Sequence, residues 1–169
     1  SEMCIRDSTT PLQTYQGGVN AEPLSGGTPT SYYLKKYCQT AVDLRSSTAS
    51  TTYHTWITFR LGEFYLNYAE ALFKYLELSG HEKAADITTD EFTMSAAAAV
   101  KKVRDRAKMP GFPTGMANDA FWKKYQNERM VELAFEGHRF WDVRRWKEGD
   151  KHFKSITEMK TVSYTHLTL

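Results

Sequence analysis

The sequence predicts a mainly α-helical domain preceded by a loop-rich segment, and two observations carry this prediction. From residue 56 to about residue 80, apolar residues recur every three or four positions, which is the spacing of a helix face. Before that, residues 8–52 are rich in Ser, Thr, Gly and Pro, which favour turns over regular structure. We therefore expect little β-strand.

The composition narrows the classes of protein to which the chain can belong. Its 169 residues suffice for one domain with a sizeable core, and its net charge of +2 is too small to suggest a nucleic-acid partner. The two cysteines, Cys4 and Cys38, form no CxxC or Cys/His motif, so we predict neither a metal nor a cofactor. The sequence contains no run of about 18 apolar residues that could span a bilayer.

The irregular segment is predicted to cover residues 1–53. Its turns come from QGGVN and PLSGGTPT, and only SYYLKKYCQT, at residues 31–40, has the weak alternation of a short strand or an extended arm. Residues 1–8 show no signal-peptide pattern. Together with residues 162–169 they resemble stray ends left by adapter read-through, so we treat both ends as suspect and expect the chain to be a piece of a longer protein.

The helical region is predicted over residues 54–161 and begins with one long helix at residues 56–80. Gly80 suits the left-handed conformation that often ends a helix. Because apolar residues outnumber polar ones around this helix, we expect it to be covered on more than one side. Its apolar face contains Ile57, Leu61, Phe64, Tyr65, Tyr68, Leu72, Tyr75 and Leu76. The opposite, polar stripe contains Arg60, Glu63, Asn67, Glu70 and Lys74, and the spacing of the last two favours an ion pair.

Two further helices are predicted after this one. The second occupies residues 94–108, where SAAAAVKKVRDRA has high helix propensity, and it ends before Pro110. Asn118 offers an N-cap side chain to the third helix, which continues to Gly137. Gly137 is predicted to break or kink the helix before residues 138–147.

The stretch ERMVELAFEGHRFWDVRRWK alternates carboxylates with cations. Glu128, Glu132 and Glu136 are four residues apart, so a continuous helix would align them as an acidic ridge. Arg129 and Arg139 each lie three residues from one of these glutamates. We therefore predict an ion network that joins packed helices and contacts no substrate. Its members are Glu128, Arg129, Glu132, Glu136, Arg139, Asp142, Arg144 and Arg145.

Three other interpretations of this stretch are less well supported. Hydrolysis of a glycoside needs two carboxylates facing each other across the substrate, which one helical ridge does not provide. A metal site could use His138 and Asp142, yet no further ligand has a matching spacing. Nucleic-acid binding through the arginines and the lysine of the stretch would have to overcome the interspersed carboxylates.

Aromatic residues provide the candidates for a ligand surface. Phe140, Trp141 and Trp146 could stack on sugars, but aromatics spaced along a helix more often belong to the core. Better candidates lie in or beside irregular polar segments, where binding residues concentrate. Even there, aromatic residues more often have a structural role. These candidates are Tyr32, Tyr33, Tyr53 and Trp56.

Four segments occur in the order typical of one known family. ERMVELAFEGHRFWDVRRWK resembles the C-terminal signature of the SusD/RagB family, and SYYLKKY resembles its Gly-Tyr-x-x-x-Lys-Tyr-type segment. FRLGEFYLNYAEALFKY is similar to its Arg-Leu-Ala-Glu-x-x-Leu-Asn-x-Ala-Glu-Ala helix, and AAAAVKKVRDRAKMP to its Asn-x-Val-Arg-x-Arg-Ala segment before Met-Pro. Two residues depart from the pattern. Gly62 stands where alanine is usual, and Ser31 where glycine is common.

The resemblance implies a fold, a function and partners. The family comprises outer-membrane nutrient-binding lipoproteins of Bacteroidota, built as a tetratricopeptide-like α/α superhelix, and this chain would be a fragment from its C-terminal part. The resemblance implies a non-enzymatic protein at the cell surface that binds oligosaccharides and acts with a SusC-like TonB-dependent transporter. Membrane contact would come only from a lipid anchor outside this chain. No ligand-binding residues can be transferred from the family.

Two rival functions stay open. One is a helical glycan-active hydrolase, and the other is a tetratricopeptide-like adaptor for protein partners. The sequence favours neither, because it shows no facing carboxylate pair and no repeat with a clean period of about 34 residues.

Overall fold

A computed structural model describes residues 57–155 without a gap, and residues 34, 36–39, 42, 51–53 and 55 before them. Two compact units divide the chain, one over Tyr53–Asp142 and the other combining Ser1–Thr52 with Val143–Leu169. The predicted mainly helical fold is confirmed, and the described residues contain no strand. The helices are α1 (Leu61–Leu78), α2 (Ala96–Arg106), α3 (Asn118–Glu132), α4 (His138–Arg145) and α5 (Gly149–Phe153), with a 3-10 turn at Ala84–Asp86 after α1.

Helix α1 begins at Leu61, five residues later than predicted. Residues 57–60 are not helical, and the backbone of Arg60 is extended, with φ −139° and ψ 153°. The sequence ITF before Arg60 contains two β-branched residues and an aromatic, all of which lose side-chain freedom in a helix. Trp56, the predicted first residue, lies outside the described residues.

The end of α1 agrees with the prediction at Gly80. This glycine has φ +84°, and its N–H donates to the carbonyl oxygen of Glu77 at 3.0 Å. The N–H of His81 donates to the carbonyl oxygen of Leu76 at 3.1 Å. These two bonds form a Schellman motif, which satisfies carbonyl groups that the helix itself leaves unpaired.

The orientation of α1 differs from the prediction. Glu63 and Glu70, from the predicted polar stripe, are buried, whereas Leu61, Phe64 and Tyr75, from the predicted apolar face, are exposed. The buried side of α1 consists of Glu63, Leu66, Ala69, Glu70, Leu72, Phe73 and Leu76. The polar stripe faces the other helices because it carries the partners of polar groups on α3 and α4.

Helix α2 packs against α1 and is two residues shorter at each end than predicted. The Ser95 side chain caps it by accepting a hydrogen bond from the Ala98 N–H at 3.2 Å. The residues of α2 that are buried are small: Ala96, Ala99, Val100 and Val103. Small side chains let the two helix backbones approach each other, so the larger apolar residues of α1 fill the space between them.

Asn118 does not cap α3, and that prediction was wrong. Ala117 occupies the N-cap position, and Asn118 is the first residue of the helix. The Asn118 side chain donates to the carbonyl oxygen of His81 and accepts from the N–H of Ala84, both at 2.9 Å. Asn118 therefore fastens the beginning of α3 to the chain that leaves α1, a long-range contact that capping rules do not consider.

Helix α3 ends at Glu132, earlier than the predicted Gly137. Residues 133–137 form turns, with left-handed φ values of +64° at Phe135 and +81° at Gly137. The predicted break at Gly137 is present, and α4 begins at the next residue. Because Glu136 lies beyond α3, the three glutamates of the stretch do not form one helical ridge.

We expect Gly80→Ala to lower the free energy of unfolding by about 1–2 kcal/mol, since alanine at φ +84° is strained. Gly111→Ala is the matched control. A methyl group there would make ordinary contacts with Lys101, the nearest at 3.4 Å, so we expect a change within about 0.5 kcal/mol. Chemical denaturation of both variants checks this, and equal losses would contradict the left-handed cap.

Candidate functional site

Polar side chains converge where α1 faces α3 and the beginning of α4. They alternate in charge, and most of them are buried or half-buried. We call this set the charged seam. Its members are Arg60, Glu63, Asn67, Glu70, Tyr125, Arg129, Glu132, Glu136, His138 and Asp142.

The centre of the seam is a buried ion pair between Arg129 and Asp142. Arg129 Nε donates to Asp142 Oδ2 at 2.7 Å, and each side chain is only 5% exposed. Arg129 Nη1 also donates to Asn67 Oδ1 at 2.7 Å. The pair joins α3 to α4, and the amide of Asn67 joins both to α1.

Tyr125 extends the seam along α1. Its hydroxyl oxygen lies 2.9 Å from both Glu70 Oε2 and the carbonyl oxygen of Leu66, so its single proton is shared between these two acceptors. Burial raises the pKa of Tyr125, and the neighbouring Glu70 carboxylate raises it further, whereas Arg129 opposes this rise. The phenol therefore stays protonated and acts as a hydrogen-bond donor, without the character of a general base.

Arg60, immediately before α1, holds the carboxyl end of α3. Its Nη1 lies 2.5 Å from Glu132 Oε1, and its Nε donates to Glu136 Oε2 at 2.8 Å. Its Nη2 donates to the carbonyl oxygen of Glu132 at 2.5 Å, which satisfies a carbonyl group at the helix end. Burial alone would lower the pKa of Arg60, but the hydrogen bonds to Glu136 and Glu132 outweigh it and raise the pKa above its ordinary value.

Helix α2 contributes two further arginines to α3. Arg106 Nη2 lies 3.0 Å from Glu132 Oε1, and Arg104 Nη1 is paired with Glu128 Oε2. Arg104 also donates to the carbonyl oxygen of Pro110 at 2.6 Å. These contacts fasten α2 and the turn after it to α3.

The structure pairs the predicted network residues across helices. The sequence pattern predicted partners three residues apart, but Arg129 pairs with Asp142, Glu132 with Arg60 and Arg106, Glu136 with Arg60, and Glu128 with Arg104. The partners that the prediction missed are Arg60, Asn67, Glu70, Arg104, Arg106 and Tyr125. The polar stripe of α1 was the signal that could have identified three of them.

The remaining predicted network residues lie at the edge of this arrangement or in the other unit. Arg139 is half-buried within α4. Arg144 and Arg145 belong to the second unit and are exposed, and the Arg145 guanidinium carbon lies 5.0 Å from the centre of the Trp146 ring.

Of the four predicted ligand-surface residues, the structure describes one. Tyr53 is fully exposed, with a relative accessibility of 101%. Tyr32, Tyr33 and Trp56 lie outside the described residues.

The expectation that Phe140 and Trp141 belong to the core was wrong. They are 49% and 66% exposed, and their rings meet edge to face with centroids 5.2 Å apart. Trp146 is half-buried. Helical spacing alone could not identify the exposed side of α4. The buried pair between Asp142 and Arg129 of α3 determines which side of α4 faces inward.

The seam offers little room for chemistry on a substrate. The Glu132 and Glu136 side chains share the guanidinium of Arg60 and are only 10% and 12% exposed. His138 Nε2 lies 3.7 Å from Glu63 Oε2. Across residues 57–155 and the few described residues before them, no three His, Cys, Asp or Glu side chains are grouped so that they could hold a metal ion. In the same part of the chain, no helix has both the length and the apolar character that a bilayer crossing requires.

Comparison with known families adds to this geometry. The model of the SusD family, SusD_RagB, matches residues 4–165. The chain belongs to the SusD family. The resemblance found in the four segments is thereby confirmed, as is the expected tetratricopeptide-like helical fold. The SusD family is a carbohydrate-binding, non-catalytic family that serves nutrient uptake. No curated protein and no solved structure matches the chain.

Gly62, the departure from the usual SusD pattern within α1, lies against the charged seam. A Cβ at this position would be 2.9 Å from Arg60 Nη1 and 3.3 Å from Glu132 Oε1. The missing methyl group leaves space in which this ion pair lies directly on the first turn of α1. An alanine here would require the far end of the Arg60 side chain to shift.

We expect Asp142→Ala to lower the free energy of unfolding by about 3–5 kcal/mol, because it leaves Arg129 buried without its carboxylate partner. Asp105→Ala is the matched control. Asp105 is 50% exposed and paired with Lys101, so its loss should cost about 0–1 kcal/mol. Thermal and denaturant unfolding measure both changes, and a melting temperature unaltered by Asp142→Ala would refute the buried pair.

Proposed function

We propose that this chain is part of a protein at the outer-membrane surface that captures oligosaccharides and delivers them to a TonB-dependent transporter. The observation that carries the proposal is the match of the SusD family model over residues 4–165. Attachment to the membrane would come from a lipid anchor, as in the family at large. No cofactor enters this function.

The charged seam supports the proposal by its role within the helices. Its ion pairs join α3 and the turn after it to Arg60 before α1 and to α2, and join α3 to α4, so the seam fixes α1, α2, α3 and α4 relative to one another. A ligand surface carried on loops depends on a rigid framework of this kind. The charged residues then stabilise the scaffold, and sugar contacts are left to residues outside the seam.

The proposed sugar contacts are aromatic residues at the amino-terminal side of α1. Tyr53 is fully exposed in a non-helical stretch, and an exposed aromatic ring with a polar edge suits a sugar, which presents both C–H and O–H groups. Tyr32, Tyr33 and Trp56 join Tyr53 in the proposal on the strength of the sequence. Trp56 lies three residues from Tyr53 in the sequence, and we therefore choose it to test the proposed surface.

We expect Trp56→Ala to weaken oligosaccharide binding about tenfold or more, as loss of an aromatic anchor does in other interfaces. The measurement is calorimetric titration of the full chain with a panel of oligosaccharides. Trp141→Ala is the matched control, since Trp141 is an exposed tryptophan outside the proposed surface. Its affinity should stay within about twofold of the unaltered chain, which is less than 0.5 kcal/mol.

A turnover assay on the same oligosaccharides and a titration with candidate peptides test the two rival functions, and each has a result that would contradict the proposal. Release of new reducing ends from the oligosaccharides, abolished by Glu132→Gln, would indicate a hydrolase. Affinity for peptides without affinity for any sugar would indicate an adaptor. Equal losses of oligosaccharide affinity in Trp56→Ala and Trp141→Ala would show that Trp56 is not a specific ligand contact.

A further inference from the structure

The positive charge of the chain is concentrated towards its carboxyl-terminal end. Residues 143–169 contain six Lys or Arg against three Asp or Glu, whereas residues 53–142 contain 12 against 13, and residues 1–52 contain four of each. The net charge of +2 therefore results from an excess of positive charge in the last segment. The part of the chain that holds the charged seam is balanced by comparison.

Five of these cations lie between residues 144 and 154, and all five are exposed. We call them the basic segment, which consists of Arg144, Arg145, Lys147, Lys151 and Lys154. Two carboxylates lie among them. Glu148 is half-buried and lies 3.2 Å from Lys151 Nζ, and Asp150 is exposed. More positive than negative charge therefore faces solvent in this part of the chain.

Backbone hydrogen bonds order the chain that carries these cations. After α4, the Lys147 N–H donates to the carbonyl oxygen of Arg144 at 3.0 Å. The Glu148 N–H donates to that of Val143, also at 3.0 Å. The two bonds form a Schellman motif with Lys147 at φ +58°, and the Lys151 N–H then donates to the Glu148 carbonyl oxygen at 3.2 Å, where α5 begins. The cations therefore belong to a regular turn between two helices.

Arg145 is also oriented by its neighbour in the sequence. Its guanidinium carbon lies 5.0 Å from the centre of the Trp146 ring, which is within the range of a cation–π contact. A side chain that is already oriented loses less conformational freedom when it binds a ligand. The planar fork of an arginine matches the paired oxygens of a carboxylate or a similar oxyanion.

We propose that the basic segment binds the acidic groups of an anionic oligosaccharide, so that the captured ligand is a sugar chain with carboxylate or sulfate groups. This inference rests on the proposed function, because it names the class of oligosaccharide that the protein captures. The basic segment shares one compact unit with Ser1–Thr52, the segment to which two of the proposed sugar contacts, Tyr32 and Tyr33, belong. Cations for the acidic groups and aromatic rings for the sugar rings thus come from the same unit.

The composition of the segment favours such a sugar over a lipid surface as its partner. A segment that binds a membrane surface combines cations with a broad apolar face. Among residues 144–154, Phe153 is the one large apolar side chain that is exposed, at 56%, and Trp146 is half-buried. Charge without an apolar face is better matched to a water-soluble polyanion.

Titration of the full chain with matched pairs of oligosaccharides tests the ligand class. Short oligogalacturonates are compared with their methyl esters, and sulfated oligosaccharides with their desulfated forms, because the members of each pair share a sugar skeleton and differ in charge. In at least one pair, we expect the charged member to bind about tenfold more tightly or better. Raising the ionic strength from about 0.05 M to about 0.5 M should remove most of this difference, because salt screens exposed charges.

Charge variants assign the effect to the basic segment. Lys147→Gln combined with Lys154→Gln should weaken binding of the charged sugar about tenfold and leave binding of its neutral partner within about twofold. Lys147→Arg should retain the affinity, since it keeps the charge. The matched control is Lys102→Gln, which removes an exposed lysine of α2 in the other unit and should leave both affinities unchanged. Circular dichroism and thermal unfolding verify that each variant is folded.

Three results would overturn the inference while leaving the proposed function intact. Equal affinity for both members of every pair would show that charge is not recognised. Equal losses in Lys102→Gln and in the double variant would show that total charge matters and the basic segment does not. Binding to phosphatidylglycerol vesicles, without preference for any charged sugar, would place the segment at a lipid surface. Absence of affinity for every sugar, charged or neutral, would instead contradict the proposed function and the inference with it.

Discussion

The buried ion pair between Arg129 and Asp142 constrains most of the described structure. A charge taken out of water is costly unless its partner and its remaining hydrogen bonds are supplied within the protein. Arg129 has a further donor beside the one used by Asp142, and Asn67 of α1 accepts from it. Next to it, Tyr125 is held neutral between Glu70 and the backbone of Leu66. The polar stripe of α1 therefore has to face α3, and this requirement decides the orientation of the helix.

That orientation has a consequence on the other side of α1. When Glu63 and Glu70 point inward, Leu61, Phe64, Tyr75 and Leu78 point outward. The helix still contributes Leu66, Phe73 and Leu76 to the core, so it is apolar on two sides and polar between them. An amphipathic helix with a single apolar face would bury that face and expose only polar residues on the opposite side. On the second apolar side, the Tyr68 hydroxyl donates to the carbonyl oxygen of Met94, and the Tyr75 ring meets that of Phe92, both in the segment before α2.

Local signals predicted the existence of the helices, and the breaks at Gly80 and Gly137, better than the contacts between helices. Gly80 and Pro110 act through their own backbone conformations, so their positions could be read directly from the sequence. The alternating charges of the C-terminal stretch indicated a network, but the pattern paired neighbours in the sequence. Arg60 and Glu136 are 76 residues apart, and only the packing of α1 against α3 brings them together. Asn118 was misplaced for the same reason, since its partners belong to the end of α1.

The function of a SusD-family chain agrees with this division between framework and surface. Paired and largely buried carboxylates are poorly placed to transfer protons to a substrate, because ion pairing and restricted access both oppose it. Exposed aromatics outside the seam, such as Tyr53, remain available to a ligand. The charged motif that is most conspicuous in the sequence therefore stabilises the helical framework, and we propose that the less regular segment before α1 binds the ligand.

A double-mutant cycle on Arg60 and Glu136, read out by both stability and sugar affinity, tests the central claim most directly. Unfolding free energies and oligosaccharide affinities would be measured for the unaltered chain, Arg60→Met, Glu136→Gln and the double variant. A seam that joins helices predicts a coupling of about 1–2 kcal/mol in stability and the same sugar affinity in all four proteins. No coupling in stability, together with a loss of sugar affinity in each single variant, would show that these charged residues contact the ligand.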